Sequence, residues 1–187
     1  MPLRIFRAVK PNLMTQAFDM KQSLVEMYKS LGMTNHGGYD WYTPEGEPLY
    51  FDCSCAGYVL NTEIDSAGGL GINIITETED GIFKHRYWHL KKFNVVAGQK
   101  VESGDLIGWC DNTGMSTGSH LHRDMKEMVK DFQGVLKIKN PDNGTYGTVR
   151  WDKYFENVFV VDYIKSLQMK IGIIQKIIEL WKSIKGR

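Results

Sequence analysis

The chain has 187 residues, 42% of them hydrophobic and 24% charged, with 23 Lys and Arg against 22 Asp and Glu for a net charge of +1. That length suits one catalytic domain with its own core, and the balanced charge gives no reason to expect a nucleic-acid binder. No apolar run approaches the roughly 18 to 20 residues of a membrane span, and Met1-Pro2-Leu3-Arg4-Ile5-Phe6-Arg7 lacks the charged, apolar and small-residue order of a secretory signal.

Residues Met14 to Leu31 place Leu24, Met27, Tyr28 and Leu31 at helical spacing before Gly32, which predicts an N-terminal helix. Short strand-like segments then alternate with glycine-rich turns: Leu49 to Phe51, Gly57 to Leu60, Ile72 to Thr76, Phe83 to Leu90, Leu106 to Trp109, His120 to Met125 and Val135 to Ile138. Many short strands at this spacing predict a mainly β, antiparallel architecture. Asp142 to Gly147 reads as a turn.

From Asp162 to Arg187 the composition changes. Ile164, Leu167, Ile171, Ile174, Ile178 and Trp181 recur at spacings of three and four, and Ile173, Ile177, Leu180 and Ile184 widen the stripe. Six basic residues stand against two acidic ones in this amphipathic, basic helix. It can pack back on the domain or on a second copy, dock to a larger assembly, or contact an anionic surface.

The five histidines are unevenly placed. His120-Leu121-His122 sets alternate imidazoles on one face of an extended segment, which suggests a metal site, and His36 precedes Asp40 across Gly37 and Gly38, so that these two side chains can share a face of a strand or tight loop. His89 ends Tyr87-Trp88-His89, whereas His85, inside Lys84-His85-Arg86, reads as solvated.

These residues resemble peptidase family M23, the lysostaphin-like zinc endopeptidases of peptidoglycan. The likeness runs collinearly through His36-Gly37-Gly38-Tyr39-Asp40, Gly46-Glu47-Pro48-Leu49, Gly69-Leu70-Gly71-Ile72, Tyr87-Trp88-His89-Leu90, Gly104-Asp105-Leu106-Ile107-Gly108 and Ser116-Thr117-Gly118-Ser119-His120-Leu121-His122. Val149 to Phe155 is similar, more loosely, to the closing segment of phage-type members.

The resemblance implies an antiparallel two-sheet fold with an N-terminal helix and a C-terminal amphipathic helix, divided as a catalytic domain over 1–160 and a helix over 161–187. It implies one Zn2+ held by His36, Asp40 and His122, with His89 and His120 as catalytic residues. Three protein ligands leave a fourth position on tetrahedral zinc, which is how a catalytic site differs from a closed structural one. The implied reaction is hydrolysis of a peptide bond in peptidoglycan stems or cross-bridges by a zinc-activated water. A wall substrate without a leader points to delivery by a phage or within a virion. Two other readings are a noncatalytic wall-binding or activator module and a zinc protease of a glycine-rich protein.

Tyr39, Trp41, Tyr42, Trp88 and Asn112 lie near these motifs and are candidates for the substrate groove. One departure follows the His120-Leu121-His122 segment, where the family commonly has Phe and then an acidic or small residue and this chain has Arg123-Asp124. On a strand Arg123 points away from the metal face, while Asp124 shares the face of His122 as an exposed or salt-bridged carboxylate or as an acceptor orienting the imidazole. Cys53, Cys55 and Cys110 read as thiols filling small sites, and a disulfide to Cys110 requires paired strands.

Overall fold

Residues 57 to 130 alternate side chains of different character, and this period of two becomes a set of long antiparallel strands. The structure is a computed structural model that describes residues 1–19 and 25–185. Its elements in chain order begin with β1 (Ile5–Arg7), β2 (Met14–Gln16), α1 (Val25–Ser30), β3 (Tyr39–Tyr42), β4 (Pro48–Tyr50), β5 (Gly57–Asp65) and β6 (Gly69–Thr78). They continue with β7 (Gly81–Phe93), β8 (Lys100–Val101), β9 (Leu106–Cys110), β10 (His120–Lys130), β11 (Leu136–Ile138), a 3-10 turn (Asp152–Tyr154), β12 (Phe155–Phe159) and α2 (Val160–Lys185).

The fold is mainly β and antiparallel, organised as a ten-stranded and a two-stranded sheet. The main path runs β2-β3-β10-β7-β6-β5-β8. Strand β7, with 13 residues, is long enough to serve more than one set of partners. Its first part lies between β10 and β6, and its end pairs with β9, which carries β4. Strands β1 and β12 form a parallel pair.

Alternation divides the sheet into two chemically different faces. Phe83, His85 and Tyr87 of β7 and Leu121, Arg123 and Met125 of β10 face the core, while Lys84, Arg86 and Trp88 face a cleft with His122 and Lys126. Burial of apolar side chains such as Ile74, Leu90 and Ile107 stabilises the core by roughly 1.5–3 kcal/mol each. Arg123 is tolerated there because Asp52 accepts its Nε at 3.2 Å and Nη2 at 3.1 Å, while Tyr87 donates to the same carboxylate at 2.6 Å.

Two expectations need correction, and the reading of the cysteines as free thiols holds. Helix α1 covers only Val25–Ser30, because Met14–Gln16 instead forms an edge strand on β3; Met20 to Leu24 lie outside the described residues. His85 is fully buried rather than solvated, since on β7 it shares the core face with Tyr87. There its Nδ1 accepts from Arg123 Nη2 at 2.8 Å and its Nε2 donates to Thr76 Oγ1 at 2.8 Å. Cys53, Cys55 and Cys110 are free, with Cys53 and Cys110 buried.

Helix α2 is anchored at its start. Val160 is buried, and Tyr163 stacks on Phe6 with ring centroids 4.2 Å apart while its hydroxyl accepts from Arg4 Nη1 at 2.9 Å. Farther along, Met169, Ile171, Ile174, Ile177, Ile178 and Trp181 are 46% to 64% exposed. No helix among the described residues is long and apolar enough to cross a membrane.

Candidate metal centre

His122 enters the cleft from β10 because it alternates with the core residues Leu121 and Arg123. Its register partner on β3 is Asp40, which brings a carboxylate beside the ring from a neighbouring strand. His36 arrives from the segment before β3. Gly37 and Gly38 link the two, and a Cβ at Gly38 would lie 2.6 Å from His122 Cε1, so only glycine leaves room for that imidazole.

The donor atoms of His36, Asp40 and His122 form a tight triangle. His36 Nε2 is 3.0 Å from His122 Nδ1 and 3.2 Å from Asp40 Oδ1, and His122 Nδ1 is 2.8 Å from the same oxygen. His36 uses its other nitrogen to donate to the Ala17 carbonyl at 3.0 Å. His122 Nε2 faces Asp124 Oδ2 at 3.5 Å, a buried oxygen with no hydrogen-bond partner among the described residues. A metal ion would take the two inner nitrogens as lone pairs together with the carboxylate oxygen; in its place a proton on His122 Nδ1 is donated to Asp40 Oδ1.

The triangle also has suitable dimensions. A tetrahedral ion with ligand bonds of about 2.0–2.1 Å has donor–donor edges of about 3.3 Å, slightly longer than those here. These residues therefore fit a four-coordinate metal ion with one position left open.

Charge in the site is held by this geometry. Burial opposes a charge on His122, but the Asp40 carboxylate, aided by Asp124, outweighs it and raises the imidazole to about 9. Burial likewise penalises Asp40, yet His122 and His36 keep its carboxyl below the usual range. Asp124 is fully buried, not exposed; burial penalises its charge, but Arg86, donating from Nε at 2.7 Å, and His122 hold its carboxyl below the usual range. Both of its expected roles, salt bridge and imidazole neighbour, are thus geometrically present.

His89 reaches the same place by a different route. Leu70 faces Leu90 and Ile72 faces Tyr87, so Trp88 and His89 together stand opposite Gly71 in a β-bulge. His89 has φ of +62°, which turns it into the cleft next to Trp88 instead of into the core. Its Nδ1 donates to the Thr113 carbonyl at 2.7 Å. Burial first, then neighbouring His120 and His122, lower it to about 4. His120 donates from Nδ1 to the Gly118 carbonyl at 2.8 Å, and its Nε2 lies 3.8 Å from Asp40 Oδ2. The His89 and His120 rings are 4.5 Å apart between centroids, with both Nε2 atoms left as lone pairs.

These side chains line one end of a cavity of about 790 Å³. The sequence of peptidase family M23 matches residues 34–135. The chain belongs to peptidase family M23. Over 98 residues this M23 chain is 38% identical to the glycyl-glycine endopeptidase ALE-1 of Staphylococcus capitis, covering 52% of this chain and 26% of that protein. Over 90 residues it is 38% identical to the peptidoglycan DD-endopeptidase ShyA of Vibrio cholerae, covering 48% of this chain and 20% of that one. The chain thus spans about a quarter or less of these curated relatives. A solved zinc containing peptidase from Vibrio cholerae matches with a TM-score of 0.50 and 29% identity, covering 64% of this chain and 36% of that one.

The M23 groove differs from the expected lining. Tyr42 and Trp88 line it, but Tyr39 and Trp41 are 4% and 3% exposed and lie in the core, and Asn112 is exposed outside it. Tyr39 shares the core-facing side of β3 with Trp41, the side opposite Asp40, and stacks edge-on against Trp151. Lys84, Arg86 and Lys126 also line the cleft. Their alternation with His85 and Tyr87, or with Met125, was the available signal.

Proposed function

We propose that this M23 chain is a zinc metallo-endopeptidase that hydrolyses peptide bonds in peptidoglycan. The observation carrying this reading is the convergence of His36 Nε2, Asp40 Oδ1 and His122 Nδ1 beside two further imidazoles at one end of a cavity. When bound, zinc supplies Lewis acidity, polarising a peptide carbonyl and acidifying water at neutral pH. The endopeptidase names of the two curated relatives support the substrate class.

On this reading His120 takes the proton from the attacking water at its Nε2 and passes it to the leaving amine. Its Nδ1–H, held on Gly118, fixes the tautomer required. His89, lowered to about 4, is the weaker proton carrier, and its Nε2 orients water from the opposite side. Trp88, packed where a Cβ on Gly71 would lie 2.3 Å from its ring, gives one rigid wall for an extended peptide. Residues 1–160 form the catalytic unit, and the segment over 161–187 is a separate contact element.

The test is digestion of purified peptidoglycans with different cross-bridges by zinc-loaded wild type and by His122→Ala, followed by mass spectrometry. New peptide termini from wild type alone are expected. Intact walls after treatment with zinc-loaded wild type would leave a binding module as the better reading.

A further inference from the structure

Beyond the metal ligands, strands β7 and β10 continue along the cleft floor and carry Arg86 opposite Asp124, then Lys84 opposite Lys126. Directly opposed residues on one sheet face have Cβ atoms about 4.5–5.5 Å apart, and like charges there destabilise the sheet. Lys126 is only 5% exposed, and its Nζ donates to the Tyr146 carbonyl at 2.5 Å. Neither Lys84 nor Lys126 has a carboxylate partner among the described residues. The nearby acids are otherwise engaged: Asp124 with Arg86, Glu63 with the Asn73 amide at 2.7 Å, and Asp65 with the Ala67 and Gly68 N–H groups at 2.8 Å.

A nearly buried ammonium with one neutral acceptor, facing another ammonium, is a costly arrangement that an anion would relieve. We propose that Lys84 and Lys126 form a carboxylate-binding subsite on the groove floor, selecting peptides with an acidic residue over uncharged oligoglycine bridges. This rests on the peptidase reading and specifies its substrate. Burial lowers Lys126 to about 8 and also lowers Lys84, with Arg86 adding to both, while Asp124 and Glu63 act in the opposite sense without forming an ion pair to either lysine.

The position constrains the ligand. Lys126 lies four residues beyond His122 on the same strand, so at 3.3 Å per residue the subsite is about 13 Å from the metal ligands. An extended peptide crossing the metal reaches it three or four residues from the cleaved bond. A carboxylate on a longer side chain, or at a chain terminus, reaches it from nearer.

The experiment uses a synthetic cross-linked stem peptide in three forms: all carboxylates free, the acidic side carboxylate amidated, and the terminal carboxylate amidated; pentaglycine is the uncharged probe. The zinc-loaded full chain, Lys84→Gln, Lys126→Met and the double variant are compared by kcat/KM and by calorimetric Kd. Expected is a loss of at least tenfold in wild type on one amidation, which identifies the carboxylate, and little discrimination in the double variant. Lys126→Arg should keep the preference. Because Lys84 is partly exposed, Lys84→Gln preserves the test if a Lys126 variant does not fold. Equal handling of free and amidated peptides by wild type, or unchanged discrimination in folded variants, overturns the subsite. If nothing is cleaved, a tenfold preference in Kd sustains the subsite while the peptidase reading fails. Absence of binding or of preference overturns it.

Discussion

Gly38 lies so close to the His122 imidazole that a Cβ on it would stand 2.6 Å from Cε1 and 2.7 Å from Nε2. The glycine leaves the imidazole room to direct Nδ1 toward Asp40. Gly38→Ala is therefore expected to weaken zinc binding by at least about tenfold, as displaced support of a metal ligand does. Chelator competition checks this, with the thermal transition recorded alongside; unchanged affinity in the folded variant would mean the ring relaxes without cost.

Asp124 contacts Arg86 and His122 from a fully buried position. Asp124→Asn should lower zinc affinity about 10- to 100-fold, the usual effect of removing a carboxylate behind a ligating imidazole. It should also lower thermal stability, because Arg86 loses its counter-charge. A stability loss with wild-type zinc affinity would assign Asp124 to Arg86 alone.

His89→Ala and His120→Ala are expected to retain zinc, since neither residue belongs to the donor triangle. Their turnover should fall by about 10²–10⁴ if each handles or orients the reacting water. Metal content by elemental analysis and single-turnover rates separate loss of chemistry from loss of the ion. Ion loss from either variant would require a different ligand set.

The buried His85 predicts an acid sensitivity unrelated to the metal. Burial first, then Arg123, hold its pKa well below the ordinary 6.5. The unfolded state consequently binds the proton more tightly. The stability supplied by neutral His85 is present above about pH 6.5 and declines as pH falls from there toward the folded value, by up to about 1.4 kcal/mol per pH unit. Denaturant melts between pH 7 and 5 should show a shallower decline for His85→Gln than for wild type. Parallel curves would show that other groups dominate.

The tail can be cut at two places with different results. Ending the chain after Leu167 keeps Val160 and Tyr163 on the domain and should change stability by less than about 1 kcal/mol, or roughly 2–4 °C in Tm. Ending it before Val160 removes the Phe6–Tyr163 stack and should cost more. Calorimetry and solution mass of both forms distinguish local anchoring from self-association through the exposed isoleucines.

The collinear motifs made the antiparallel β architecture and the His36, Asp40 and His122 cluster legible, because strand periodicity and ligand chemistry are local properties. His89 was legible only as a motif residue. Its placement depends on the bulge opposite Gly71 and on a positive φ, neither of which simple alternation contains. The edge strand Met14–Gln16 was missed because its hydrogen bonds go to β3, so helical spacing in the sequence lost to a tertiary partner. His85 was misread because its basic neighbours suggested solvent, whereas β7 turns those neighbours to the cleft and His85 to the core.

By itself, then, the sequence determined which residue types could bind a metal and which segments could form strands, since both follow from side-chain chemistry and period. Tertiary structure decided which residues meet. Pairing β10 between β3 and β7 brings Asp40, His122 and the opposed lysines Lys84 and Lys126 onto one surface, and sends Tyr39 and Trp41 to the other. Register does this because a one-residue shift in any of these strands would exchange the two faces.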